Sequence, residues 1–118
     1  MKTKQVKKLL RKNYRWWVRW LGLGYWTMSM AFCSGLKKAS NNIWLAGYCH
    51  VEWKYLKAWV TFYPKAMRQM TEWEIERVVI HELMHVFLNE MRETGLDHEE
   101  RCATQLQKAF SWVKGAKK

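Results

Sequence analysis

Thr71-Glu72-Trp73-Glu74-Ile75-Glu76-Arg77-Val78-Val79-Ile80-His81-Glu82-Leu83-Met84-His85-Val86-Phe87-Leu88 is the stretch that decides how the rest of the chain is read. Thr71 and Glu74 have the spacing of a capping box, in which each side chain accepts the other residue's backbone N–H, so a helix is predicted to begin near Thr71. Glu72 and Glu74 place negative charge in its first turn, where the helix dipole favours it. Ile75, Val78, Val79 and Ile80 before the histidines, and Val86, Phe87 and Leu88 after them, predict that the helix continues to about Glu93. A surface helix would not be apolar on so many sides, so this one belongs at the centre of the domain.

Inside that helix, His81-Glu82-Leu83-Met84-His85 is an H-E-x-x-H motif. Residues four apart share a helix face about one turn apart, so both imidazoles can ligate one zinc ion. Glu82 projects roughly 100° around the helix from His81, beside an open metal position rather than as a ligand. That carboxylate can take a proton from metal-acidified water and return it to a leaving amine. Two histidines and a glutamate in a buried helix need partners, because an unpaired buried polar group costs about 1–3 kcal/mol. A bound metal would meet that need.

Working outward, the 118 residues are read as one domain spanning 1–118, with 1–12 as a basic arm or short helix and 114–118 as a loose basic tail. Nine tryptophans and a single proline argue against disorder. Three cysteines, Cys33, Cys49 and Cys102, with no C-x-x-C pair, fit a reducing compartment better than a disulfide framework. No signal peptide and no membrane span are read from the sequence, since no apolar run approaches about 18 residues. The net charge of +11 divides unevenly: the chain up to Thr71 carries +13 and the remainder −2. The basic half, with eight cations in its first nineteen residues, could face nucleic acid or another anionic partner, or could simply be solvated. Trp16, Trp17 and Trp20, interleaved with Arg15 and Arg19, could stack on bases or form a core strand with cations on its outer face.

Along the chain, Tyr14 to Trp20 and Tyr25 to Phe32 are rich in aromatic and apolar residues on either side of Gly22 and Gly24, which predicts a hairpin. Ser34 to Asn42 reads as a loop. Ile43 to Val51 and Tyr55 to Tyr63 predict a second hairpin, the later strand alternating until Pro64 ends it. Gly95 is placed as the C-cap of the motif helix and Asp97 as the N-cap of a last helix. The inner side of that helix would carry Cys102, Ala103, Leu106, Ala109, Phe110 and Val113. The expected class is α+β: an antiparallel or mixed sheet of about four strands packed on the motif helix and the C-terminal helix.

Catalytic zinc takes three protein ligands and keeps one position open, so a third ligand must come from elsewhere. The head of the last helix returns beside the motif helix after a short turn and offers His98, Glu99 and Glu100. Asp97-x-x-Glu100 is also a capping spacing, so the same carboxylate could cap its own helix. For the oxyanion of a hydrolytic step, Tyr55, Tyr63, His50 and Arg92 are available in type.

From about Tyr25 to Phe110 the order of elements, with the motif at His81–His85, resembles the zincin metallopeptidases. Within them it resembles the gluzincins and the small zincin-like proteins often encoded by phages. The resemblance implies a Zn2+ cofactor, His81 and His85 as ligands, and Glu82 as general base. It also implies Glu100 as third ligand, because Ala103 and Thr104 follow it as a small and a polar residue do in that family; Glu99 fits this pattern less well, and His98 would correspond to the third histidine of SprT-like zincins. It further implies a polypeptide substrate paired along the strand Lys57 to Tyr63, and a cytoplasmic setting, the host's if phage-encoded. Two other expectations are a nucleic-acid-associated protein with a zinc site, and a zincin fold without catalysis that serves as an interaction protein.

Overall fold

A computed structural model describes residues 1–39, 41–93 and 98–115. Its elements follow the order α1 (Thr3–Trp20), β1 (Thr27–Phe32), β2 (Gly47–Glu52), β3 (Lys57–Phe62), α2 (Glu72–Glu93) and α3 (Glu99–Lys114). Short 3-10 turns occupy Leu23–Tyr25, Trp53–Tyr55 and Pro64–Met67. The described residues therefore form an α+β domain with three helices and a three-stranded mixed sheet of order β1-β3-β2.

The motif helix forms as its sequence predicts. The Thr71 backbone N–H donates to Glu74 Oε1 (2.9 Å), and the Glu74 N–H donates to Thr71 Oγ1 (3.1 Å). Ile75, Val79, Ile80, Leu83 and Met84 are buried in one core cluster with Cys49, Val51, Ala58, Val60 and Phe62 of the sheet and Val6, Leu10, Tyr14 and Trp17 of α1. On β2 and β3 the alternation is strict at these positions, so Tyr48, His50 and Trp59 face outward.

The first expected hairpin does not form. Tyr14 to Trp20 completes an eighteen-residue helix, and β1 pairs in parallel with β3, Thr27 opposite Lys57 through Phe32 opposite Phe62. The reason lies in the spacing of Val6, Leu10, Asn13, Tyr14 and Trp17, all buried, which recur every three or four residues. The β propensity of the tryptophans is outweighed by burial of this stripe. Residues 3–12, read as an arm or short helix, are the first half of α1.

The second hairpin forms, with Gly47 opposite Phe62 through Glu52 opposite Lys57. Among the described residues there are three strands and not four. Where strand is expected from Ile43, the described residues show an isolated antiparallel bridge between Lys38 and Trp44. In α3 the buried positions are Glu99, Ala103, Gln107 and Ser111, with Cys102, Leu106 and Phe110 partly buried. Ala109 and Val113, expected inside, are exposed, so the helix turns a more polar face to α2 than its apolar residues suggest. The cap positions assigned to Gly95 and Asp97 lie outside the described residues. No helix among the described residues is long and apolar enough to cross a membrane.

Candidate metal centre

The α2 helix carries His81 and His85 on one face, and α3 crosses that face with its first turn. His81 Nε2 and His85 Nε2 lie 3.3 Å apart. Glu100 reaches both, with Oε1 2.6 Å from His81 Nε2 and Oε2 3.1 Å from His85 Nε2. One ligand atom from each of these three residues falls within 4.8 Å of the others. Zinc bonds of about 2.0–2.1 Å at tetrahedral corners place neighbouring donor atoms about 3.3 Å apart, so the imidazole pair is spaced as two ligands of one ion.

The back of His85 is held by Glu99, whose Oε2 lies at short hydrogen-bond range from Nδ1. A carboxylate only accepts, so the ring proton belongs on Nδ1 and the Nε2 lone pair faces Glu100 and His81. This is the carboxylate–histidine arrangement that fixes ring orientation and raises ligand basicity at zinc sites. Both His85 and Glu99 are buried, whereas the Glu100 side chain is 72% exposed at the mouth. His98, the rival ligand, is exposed and sits at the head of α3 in a left-handed conformation (φ 75°), outside the cluster. Cys102 is a free thiol and does not join it either.

Glu82 is buried where α2 meets the start of β2. It lines, together with His81 and Glu100, a cleft of about 440 Å3. Its lining also includes Ala39, Asn41, Ile43, Trp44 and Gly47 from the chain leading into β2. Gly47 is what lets the carboxylate in: a Cβ there would lie 2.9 Å from Glu82 Cγ and 3.1 Å from Oε2. Glu99 and Glu100 bring two carboxylates to the imidazole pair, and a dication between them would offset their charge. The donor set thus fits zinc in ligand type and number, and the imidazole pair fits it in spacing.

Several expected neighbours are elsewhere. His50 points to the outer face of the sheet, its ring 5.3 Å from that of Trp59. Tyr55 is exposed on its 3-10 turn, and Tyr63 is buried without lining the cleft. The Arg92 side chain lies outside the described residues. The strand expected to border the cleft, Lys57–Phe62, is the central one; its backbone is paired to β1 on one side and β2 on the other, which leaves no edge for a substrate. The cleft border is the start of β2 instead.

Sequence reasoning missed Arg77, which lines the cleft one turn before His81. Gln107, with its amide oxygen turned toward the guanidinium, accepts from Nε (2.6 Å) and Nη2 (3.0 Å), and the Trp73 ring lies 4.4 Å away. The signal was available, since Arg77, His81 and His85 follow one another at four-residue steps. Comparison of the chain with protein-family models, with curated proteins and with solved structures finds no match. The domain is thus defined by its own geometry, a small α+β fold with a two-histidine, one-glutamate cluster at a cleft.

Proposed function

We propose that this chain is a zincin-like, zinc-dependent hydrolase of the gluzincin type, acting on polypeptides. His81, His85 and Glu100 hold the ion, and Glu82 is the general base. The observation that carries the reading is the convergence of the two Nε2 atoms and the Glu100 carboxylate at the mouth of the cleft that Glu82 lines. Zinc bound there supplies Lewis acidity, which brings the ionisation of water toward neutral pH and polarises a carbonyl.

The protein's own groups then have distinct tasks. Glu99 holds His85 with its Nε2 lone pair toward the site. Glu82, pressed against Gly47, accepts a proton from water in the cleft and passes it to the departing amine. Arg77, fixed by Gln107 and Trp73, presents its remaining N–H donors to the same cleft, where they can meet the oxygen that gains charge. An extended peptide would run past Gly47 along the free edge of β2.

Protein purified without chelator should carry about one equivalent of zinc by mass spectrometry, lost in His81→Ala. Glu82→Gln should keep the zinc and lose hydrolysis of an unfolded protein substrate. Zinc below a tenth of an equivalent and unchanged by His81→Ala would refute the metal site. Full hydrolysis by Glu82→Gln would refute the assigned base.

A further inference from the structure

The solvent face of α1 is not used by the metal centre, and it is built as a stripe. On an ideal helix Lys4, Lys8, Arg11, Arg15 and Arg19 fall within an arc of about 80°, directly opposite the buried stripe of Val6, Leu10, Asn13, Tyr14 and Trp17. All five are exposed, α1 contains no acid, and none of the five pairs with an acid among the described residues. They recur at three- or four-residue steps, about 6 Å apart, over a length of about 22 Å.

At the C-terminal end of the stripe the surface becomes aromatic. Trp20, 52% exposed, stacks on Trp16 with ring centroids 5.9 Å apart and planes 10° from parallel. Phe110 meets Trp20 edge to face at 5.8 Å, which fixes the ring from the α3 side. On the other flank, Arg15 and Arg19 line a groove of about 650 Å3 shared with Tyr25 and Trp26. Tyr25 is largely exposed there, and the buried Trp26 indole N–H has no acceptor among the described residues.

We infer that this face binds single-stranded nucleic acid, the stripe carrying the phosphates and Trp20 and Tyr25 offering ring surface to bases. Charge complementarity selects an anionic polymer, since five aligned cations a few ångströms apart match a run of phosphates better than one isolated anion. An anionic membrane surface fits less well. A helix that lies in a bilayer interface needs a free apolar face, and that of α1 is spent on the protein core. The inference stands apart from the hydrolase reading, because none of these residues touches the metal cluster.

The test is fluorescence anisotropy with a labelled oligothymidylate of about twenty nucleotides, using the full chain. Engaging five phosphates gives a slope of log affinity against log salt of about −3.5, so affinity should fall about 100-fold between 50 and 200 mM salt. Arg15→Glu with Arg19→Glu should weaken binding at least tenfold and flatten the slope, while the corresponding pair of lysine substitutions retains most of it. Trp20→Ala should weaken binding about tenfold with the slope unchanged. Glu82→Gln should bind as the parent does. Absence of binding at 50 mM salt, or binding indifferent to the glutamate pair, would overturn the proposal. So would equal affinity for a duplex of the same length, or tighter binding to phosphatidylserine vesicles than to the oligonucleotide.

Discussion

Gly47 and Glu82 meet with no room between them: a side-chain carbon on Gly47 would lie 2.9 Å from Glu82 Cγ. Real Cβ atoms essentially never approach that closely, and Gly47 sits in a β-strand. Its value is therefore close approach and not backbone freedom. Gly47→Ala should push the carboxylate out of place and slow hydrolysis about 10–100-fold, with zinc content retained. Zinc analysis beside steady-state kinetics checks this, and a parental rate would show that Glu82 has space to adjust.

Glu99 and Glu100, adjacent in sequence, do different things. Glu100→Ala removes a proposed ligand and should abolish stoichiometric zinc. Glu99→Ala removes only the support behind His85 and should weaken zinc affinity by about 10–100-fold. Competition with a chelating dye separates the two variants. Equal losses would mean that both carboxylates ligate.

A buried carboxylate ties the three helices together. Trp17 Nε1 donates to Glu76 Oε2 (2.8 Å), and Lys114 Nζ contacts the same oxygen while lying 5.3 Å from the Trp17 ring. Glu76→Ala strands a buried indole N–H and frees a lysine, and should lower the unfolding free energy by about 2–4 kcal/mol. Lys114→Met keeps the Trp17–Glu76 bond and should cost about 1 kcal/mol or less, because the lysine is partly exposed. Urea unfolding at one pH measures both.

Tyr14 provides a pH test of the core. Burial, with the neighbouring Cys49 thiol adding to it, pushes its phenol up to about 12. The folded state thus favours the neutral phenol; the associated stability is fully present below pH 10 and is lost as pH rises through the folded value. The loss is about 3 kcal/mol for a shift of this size. Among the described residues the Tyr14 hydroxyl has no hydrogen-bond partner, so Tyr14→Phe should be nearly neutral at pH 7 and should unfold less readily than the parent above pH 10. Parallel unfolding curves for the two proteins between pH 9 and 12 would contradict the assignment.

Three features were legible in the sequence because their determinants lie close together in the chain. The Thr71–Glu74 box, the run of α2 to Glu93 and the β2–β3 hairpin depend on residues within a few positions of one another. The aromatic run of Tyr14 to Trp20 was misassigned because residue type outweighed spacing, although the buried residues of α1 kept a helical period throughout. The parallel partner of β1 was hidden for a different reason: β3 lies about thirty residues further along the chain, and nothing in either strand encodes the crossover.

The metal centre divides in the same way. By itself the sequence determined that His81 and His85 share a helix face with Glu82 a third of a turn away, because a 3.6-residue period requires it. It also pointed to the head of α3, with His98, Glu99 and Glu100, as the source of a third partner. Only the tertiary structure decided that Glu100 meets both imidazoles, that Glu99 turns behind His85, and that Gly47 leaves a place for Glu82. Those contacts depend on how α3 crosses α2 and how closely β2 approaches it. Packing of buried faces far apart in the chain sets both.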